Sequence, residues 1–153
     1  MKIVVVSDSH RNYSSLQLVK SANSDADLFI HCGDFQTSQD QLQGFLAVAG
    51  NNDIWSGVPE QRVLTCADVK IWIIHSDQYS GSYRIEYLFK KAQENQYQLV
   101  CFGHTHTPYI EKRDGIWLVN PGSLWYNRDG SAIGYVVVNI AEGEIVNIQR
   151  VAL

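Results

Sequence analysis

Two histidines separated by one residue follow a short apolar segment in the second half of the chain. The segment Gln98–Phe102 has the character of a strand, and Gly103, His104, Thr105 and His106 come directly after it. Side chains at positions i and i+2 of an extended chain point to the same side. Imidazole nitrogens are common ligands of divalent transition metals. The spacing therefore predicts that His104 and His106 both reach metal ions at the end of this strand.

Other apolar segments of the chain also end in residue types that bind metals. Of the five histidines in the sequence, four lie at such ends. The complete set offers four imidazoles, two carboxylates and one carboxamide, and it consists of Asp8, His10, Asp34, Asn51, His75, His104 and His106. So many polar groups at one edge would be costly to desolvate without cations. We therefore predict a centre for two divalent ions, with Asp34 as the bridging ligand because it lies between the other ligands in chain order.

Composition limits the classes of protein to which the chain can belong. With 153 residues, 45% hydrophobic and 18% charged, residues 1–153 are expected to form a single globular domain. A net charge of −4 without a basic stripe argues against nucleic acid as a partner. We expect no membrane span and no signal peptide. Three widely spaced cysteines without a C-x-x-C pair favour buried thiols in a reducing compartment, and hence a cytoplasmic location.

The order of predicted elements indicates an α/β fold. In the first half, strands alternate with helical segments, which implies right-handed parallel crossovers whose strand ends open on one side. These elements are Lys2–Ser7, a helix capped by Asn12 or Ser14, Asp27–Cys32, a helical segment over Ser38–Gln43, and Gly44–Ala49. The second half is predicted to contain three hairpins, one helix and one further strand. Those are Gln61–Cys66 with Val69–Ile74, Ser82–Asn95, Gln98–Phe102, Tyr109–Arg113 with Ile116–Val119, and Ala132–Ile140 with Glu144–Val151.

Taken in order, these motifs resemble those of the calcineurin-like metallophosphoesterases. The motifs are Asp8-Ser9-His10, Gly33-Asp34, Gly50-Asn51-Asn52-Asp53, His75 and Gly103-His104-Thr105-His106. The short chain and the segment Asn120-Pro121-Gly122-Ser123 are similar to the compact prokaryotic phosphodiesterase branch of that family. The resemblance implies a four-layer α/β/β/α sandwich of two mixed β-sheets flanked by helices. It also implies a dinuclear metal centre at the carboxyl ends of the strands.

Carried over by position, the resemblance divides the ligands between two metals. Asp8, His10 and His106 would hold one ion, Asn51, His75 and His104 the other, and Asp34 would bridge them. The implied activity is hydrolysis of phosphodiesters, or of phosphomonoesters, by a hydroxide bridging the two ions, with no further catalytic residue. Manganese is the expected metal, with iron, zinc and nickel as alternatives. The expected partner is a small phosphate ester, and a homodimer through exposed aromatic residues stays open.

Two residues beside these motifs are predicted substrate contacts. Asn52 stands where the wider superfamily has a histidine; it can donate hydrogen bonds but supplies no proton near pH 7. We therefore expect slow turnover and a preference for leaving groups that need little protonation. Arg11 could hold a substrate phosphate through its guanidinium, or could be a solvated surface residue. The same two interpretations apply to Arg128.

Several interpretations remain open from the sequence alone. His31 is interpreted as a core histidine or a support for the ligands, and Asp53 as a residue that orients the Asn51 loop or caps a turn. Ser76 and Asp77 replace a Gly-His pair of the family, which affects substrate choice. The loop aromatics Trp55, Trp125, Tyr79 and Tyr126 could line a pocket or form an interface. A retromer subunit shares this architecture, so a non-catalytic protein-interaction scaffold is the alternative function.

Overall fold

The computed structural model describes residues 1–42 and 44–153. Its strands are β1 (Lys2–Val6), β2 (Leu28–His31), β3 (Phe45–Ala47), β4 (Gln61–Cys66), β5 (Val69–Ile74), β6 (Leu99–Cys101), β7 (Tyr109–Arg113), β8 (Ile116–Asn120), β9 (Gly134–Ala141) and β10 (Glu144–Ala152). Its α-helices are α1 (Tyr13–Ala22) and α2 (Tyr83–Asn95), and a short 3₁₀ helix covers Gln39–Leu42. The predicted helical segment extended to Gln43, which lies outside the described residues. The other predicted elements are confirmed to within a few residues at each end.

The strands form two five-stranded mixed sheets. The first has the order β10-β9-β1-β2-β3, and the second has the order β4-β5-β6-β8-β7. The strands β1, β2 and β3 are parallel neighbours, as are β5, β6 and β8. The remaining pairs are antiparallel. The parallel pairing predicted for the first half of the chain is confirmed, since β1, α1, β2 and β3 follow one another in that arrangement. The right-handed sense of the crossovers stays a prediction.

The packing of alternate side chains explains the four layers. On β1, Ile3 and Val5 face the apolar core between the sheets, whereas Val4 and Val6 face α1 on the outside. This strand is therefore buried on both faces, which accounts for its continuous β-branched sequence. Helix α2 covers the outer face of the second sheet as α1 covers that of the first, with Leu88 packing beside β5 and β6. The predicted α/β/β/α sandwich is confirmed.

Helix caps and turns follow the local sequence. The side chain of Asn12 accepts a hydrogen bond from the backbone N–H of Ser15, which caps α1 as predicted. The predicted hairpin turns at Ala67-Asp68, Asp114-Gly115 and Glu142-Gly143 all have positive φ at both residues. Neither α-helix of the described part of the chain is long and apolar enough to cross a membrane.

The core between the sheets should carry much of the stability. Ile73 lies in that core and is fully buried, so Ile73→Ala removes apolar contacts and leaves a cavity. We expect the free energy of unfolding to fall by about 2–5 kcal/mol in urea denaturation. Val146→Ala on the exposed side of β10 is the matched control, with an expected change within about 0.5 kcal/mol. Equal effects of the two substitutions would contradict the assigned core.

Candidate metal centre

Five loops meet at one edge of the sandwich and bring the predicted ligands together. They follow β1, β2, β3, β5 and β6, so the ligands come from both sheets. Backbone hydrogen bonds join these loops to one another. The N–H of Asp8 donates to the carbonyl of Gly33 at 2.9 Å, and the N–H of Gly103 donates to the carbonyl of His75 at 3.2 Å. Between the two sheets, the N–H of His104 donates to Asp8 Oδ2 at 3.1 Å, and His75 Nδ1 lies 2.7 Å from the Cys32 carbonyl. These contacts fix the loops of one sheet against those of the other.

A first group of ligands consists of Asp8, His10 and His106. Their ligand atoms all lie within 4.8 Å of one another. The Nε2 atom of His106 is 3.2 Å from Asp8 Oδ1 and 3.0 Å from His10 Nε2. Two imidazole nitrogens and a carboxylate oxygen facing one point form a recognisable partial coordination sphere for a divalent transition ion.

A second group consists of Asp8, Asp34 and His75, again with ligand atoms within 4.8 Å of one another. The Nε2 atom of His75 lies 3.5 Å from Asp34 Oδ1 and 4.0 Å from Asp8 Oδ1. His104 and Asn51 stand beside this group, because the ring of His104 is centred 5.2 Å from that of His75. The Nδ1 atom of His104 is 3.1 Å from Asn51 Oδ1.

Both carboxylates lie between the two groups. Asp34 Oδ2 is 3.9 Å from His10 Nε2, while Asp34 Oδ1 faces His75. Asp8 faces His106 and His75 through Oδ1. The position of Asp34 fits the bridging role predicted for it, and Asp8 has a comparable position. The assignment of the bridge therefore stays a prediction.

The electrostatics of this site suit a cation. Among residues 1–42 and 44–153, Asp8 Oδ1 and His75 Nε2 are buried side-chain atoms without a hydrogen-bond partner. Such atoms are costly to bury unless a further ligand satisfies them. Burial lowers the pKa of His75, but the carboxylates of Asp34 and Asp8 outweigh it and raise this pKa to about 9. The donor atoms and their charges therefore fit a divalent metal ion.

Hydrogen bonds at Nδ1 orient three of the four imidazoles. Cys32 supplies its carbonyl to His75 at 2.7 Å, and Tyr126 supplies its carbonyl to His106 at 3.1 Å. The side-chain oxygen of Gln36 lies 2.7 Å from Nδ1 of His10. Each of these acceptors favours a proton on Nδ1, so in the neutral ring Nε2 is the nitrogen that offers its lone pair to the candidate centre.

The backbone at five of the seven predicted ligands is in the left-handed region. The φ angles are 51° at Asp8, 41° at His10, 57° at Asp34, 70° at His104 and 52° at His106. The extended geometry predicted for the histidine pair is wrong, because β6 ends at Cys101 and both histidines follow in a bend. The bend aims His106 at the first group and His104 at the second. Strain of this kind persists where the surrounding structure enforces it.

Asp53 is the main support for the Asp34 loop. Its Oδ2 accepts hydrogen bonds from the backbone N–H groups of Asp34 at 2.6 Å and Gly50 at 2.9 Å. The same oxygen accepts from Phe35 at 3.3 Å, and Oδ1 accepts from Gln36 at 2.7 Å. Asp53 therefore ties the loop after β2 to the loop after β3. Of the two open interpretations, orientation of a ligand loop describes it better than a turn cap.

Asp8 has supports that the sequence did not reveal. Ser7 Oγ donates to Asp8 Oδ2 at 2.6 Å, and Ser123 Oγ donates to the Asp8 carbonyl at 2.8 Å. Ser123 belongs to the Asn-Pro-Gly-Ser segment, which was the one available signal. Asn120 of that segment donates to the Gly103 carbonyl at 3.0 Å, so the segment braces two ligand loops.

Glycine residues precede three ligands because a side chain would not fit there. A Cβ atom on Gly50 would lie 2.3 Å from Asp34 Oδ1. A Cβ atom on Gly103 would lie 2.0 Å from Ser7 Oγ and 2.9 Å from Asp8 Oδ2. The glycines of the sequence motifs therefore allow the ligand loops to approach one another closely.

His31 lies behind the first ligand loop and is fully buried. The N–H of Gly33 donates to His31 Nδ1 at 3.2 Å, so Nε2 carries the proton and donates to Ser9 Oγ at 2.9 Å. Burial lowers the pKa of His31 to about 3, and the ring is neutral. It supports the loop between Asp8 and His10, in line with its interpretation as a buried histidine.

The predicted substrate contacts lie next to this centre. The backbone N–H and the side-chain amide of Asn52 donate to Asp34 Oδ1 and Oδ2 at 2.9 Å and 2.6 Å. Arg11 lines an adjacent cavity, and Trp125 packs its ring edge-on against His10. Arg128 donates its backbone N–H to the His106 carbonyl at 2.8 Å. The roles of Arg11 and Asn52 in binding substrate stay predictions.

Comparison with known proteins assigns a family to this arrangement. A sequence model of the calcineurin-like phosphoesterase superfamily domain matches residues 1–143. The probable metallophosphoesterase YsnB of Bacillus subtilis is 29% identical over 143 residues, covering 92% of this chain and 85% of that protein. The probable metallophosphoesterase MJ0623 of Methanocaldococcus jannaschii is 36% identical over 132 residues, covering 80% and 68%. The phosphodiesterase MJ0936 of the same organism is 26% identical over 175 residues, covering 100% and 99%.

Solved structures show the same fold. A predicted phosphoesterase from Streptococcus pneumoniae has a TM-score of 0.87 and 26% identity, covering 99% of this chain and 88% of that chain. Zinc-complexed Vps29 from Entamoeba histolytica has a TM-score of 0.76 and 20% identity, covering 99% and 98%. At that lower identity, the second likeness shows the fold alone.

The hydrogen bonds of Asp53 give a prediction about the ligand loops. Asp53→Ala leaves four backbone N–H groups without their acceptor, and we expect it to lower the free energy of unfolding by about 3 kcal/mol or more. Metal affinity, measured by calorimetry, should fall roughly 10–100-fold. Asp53→Asn retains one acceptor oxygen and should fall between Asp53→Ala and the unsubstituted protein. An alanine variant with unchanged stability and metal affinity would show that the loops do not depend on Asp53.

Proposed function

The chain belongs to the calcineurin-like phosphoesterase superfamily, and we propose that it hydrolyses phosphodiester bonds with the help of two divalent metal ions. The observation that carries this proposal is the meeting of two ligand groups at Asp8 and Asp34. Two ions are favoured over one because the ligands divide into two groups, each with its own histidines. The phosphodiesterase relative MJ0936, aligned over the whole of this chain, favours diesters over monoesters.

We assign the ligands as follows. Asp8, His10 and His106 would hold one ion, Asn51, His75 and His104 the other, and Asp34 would lie between them. Borderline imidazole nitrogens combined with hard oxygens, and without thiolate, suit manganese, while iron, zinc and nickel remain compatible. When bound, such ions supply a water of lowered pKa as nucleophile and offset negative charge on the phosphoryl oxygens.

The side chains near this centre determine whether the protein can protonate the leaving group of an ester. Asn52 directs its amide at Asp34, and a carboxamide does not transfer a proton to a leaving group near pH 7. The imidazoles of His10, His75, His104 and His106 are assigned to metal binding. We therefore propose that diesters with good leaving groups, such as aryl esters, are turned over faster than simple alkyl diesters.

A non-catalytic scaffold on the same fold is the alternative function, and the likeness to Vps29 shows only that the fold is shared. Retention of the complete ligand set and of its supporting hydrogen bonds favours the enzyme. We further propose a cytoplasmic location, because the three cysteines are free thiols and two of them are buried.

Activity with a chromogenic diester tests the proposed function. Purified protein loaded with manganese should hydrolyse bis(p-nitrophenyl) phosphate, and a chelator should abolish the hydrolysis. Asp34→Ala should lower kcat/KM by roughly 100-fold or more, because it removes a proposed ligand of both ions. Asp25→Asn, a change at an exposed carboxylate near Lys2, is the matched control and should leave the rate unchanged. Metal-loaded protein without hydrolysis above background would exclude the enzyme and favour the scaffold.

Metal content tests the two-ion assignment separately from activity. Elemental analysis of the unsubstituted protein should give two manganese ions per chain. His104→Ala and His106→Ala should each retain about one ion, because these residues belong to different ligand groups. The two variants should differ in which ion is lost, so the His104→Ala His106→Ala double variant should retain neither ion. A single ion in the unsubstituted protein, bound under saturating manganese, would contradict the dinuclear assignment.

A further inference from the structure

A cavity of about 430 Å³ opens beside the candidate metal centre. Its walls include Gln36 and Asn52, which also contact the ligands. Gln36 Oε1 lies 2.7 Å from His10 Nδ1, and Asn52 Nδ2 lies 2.6 Å from Asp34 Oδ2. The cavity therefore begins one side chain away from the ligands. Its volume lies within the range of roughly 300–1,000 Å³ that is usual for small-molecule sites.

One wall of this cavity is an uncovered aromatic ring. The side chain of Trp55 is 97% exposed, and it has no hydrogen bond or ring contact to any residue that the structure describes. An indole offers a flat face on which a planar ring can stack. Its place at the cavity, rather than elsewhere on the surface, suggests that a ligand covers it.

Arg11 presents a fixed cation on the same cavity. Its Nε donates to the Gln36 carbonyl at 3.2 Å, and its backbone N–H donates to the Phe35 carbonyl at 3.1 Å. Within the described part of the chain, the guanidinium forms no ion pair, and its terminal nitrogens have no hydrogen-bond partner. A guanidinium held at Nε leaves two parallel N–H groups for bidentate contact with anionic or carbonyl oxygens.

The remaining walls carry neutral polar groups. Thr37 and Ser38 contribute hydroxyls, and Gln39 contributes a carboxamide that donates to the Ser56 carbonyl at 2.9 Å. Asp53 also borders the cavity, but both of its oxygens accept backbone N–H groups. A flat apolar face, a cation, hydroxyls and carboxamides together match a ligand with a planar ring, a polar ring edge and negative charge.

We propose that this cavity binds the nucleoside part of a nucleotidyl diester, with the base stacked on Trp55 and Arg11 on its polar edge or on phosphate. The proposal rests on the phosphodiesterase function given above and specifies its substrate class. In the reaction, water adds its oxygen to phosphorus, and the P–O bond to the second ester group breaks. The second group leaves as an alcohol with one proton of the water, and a nucleoside monophosphate remains.

Two esters with the same leaving group test this proposal. With manganese-loaded protein, kcat/KM for thymidine 5′-(p-nitrophenyl) phosphate should exceed that for methyl p-nitrophenyl phosphate by about 10-fold or more, because stacking adds binding for the base alone. Trp55→Ala should remove most of this preference, because it lowers kcat/KM for the thymidine ester far more than kcat/KM for the methyl ester. Ile54→Ala is the matched control, because Ile54 is exposed in the same loop but does not line the cavity.

A binding measurement gives a readout that does not depend on turnover. Calorimetry should detect thymidine 5′-monophosphate binding to the unsubstituted protein, with affinity lowered about 10-fold by Trp55→Ala and also lowered by Arg11→Gln. Equal kcat/KM for the two esters, or equal losses for both in Trp55→Ala, would overturn the assignment of the cavity. If neither ester is hydrolysed, the phosphodiesterase function fails, and calorimetry alone decides whether the cavity binds a nucleotide.

Discussion

Two buried carboxylates at the edge of the sandwich must have their negative charge balanced, and the rest of the site follows from that requirement. Asp8 and Asp34 are almost completely buried, and four imidazoles and several backbone N–H groups surround them. Burial raises the pKa of Asp34, but the nearby imidazole of His75 and the hydrogen bonds from Asn52 outweigh it and hold this pKa well below its ordinary value. The site therefore stays negatively charged while its histidine nitrogens face inward, which is the environment a cation stabilises.

The surrounding structure, rather than the ligand side chains themselves, keeps these charged groups in position. Strands buried on both faces fix where the five loops begin, and the loops then hold each ligand through carbonyls, hydroxyls and one further carboxylate, Asp53. Most of these supporting groups are ordinary polar residues or backbone atoms. Their effect depends on placement within hydrogen-bonding distance, as with the Cys32 carbonyl at His75.

The sequence was sufficient for the fold and for a set of residues that the structure brings together at one edge, whereas their binding of metal stays a prediction. Hydrophobic runs and turn residues predicted the strands closely, since burial on both faces of β1 and the turn at Ala67-Asp68 are local properties. The geometry of His104 and His106 was not predictable, because their left-handed backbone results from packing against other loops. Gln36 was missed for the same reason, since nothing near it in the chain marks a residue that touches His10. Ser123 was noted as part of the Asn-Pro-Gly-Ser segment, but its bond to Asp8 was not predictable from that motif.

The bond from Ser123 to Asp8 has a consequence for the order in which the candidate centre can form during synthesis. All the ligands have been translated once His106 has been added, but Ser123 and β9, the neighbour of β1, come later in the chain. A nascent chain at that stage carries every predicted ligand, while β1 has β2 on one side but still lacks β9 on the other, and Asp8 lacks its bond from Ser123. The candidate centre therefore reaches its final geometry only after residues that follow the whole ligand set in the chain have joined the first sheet.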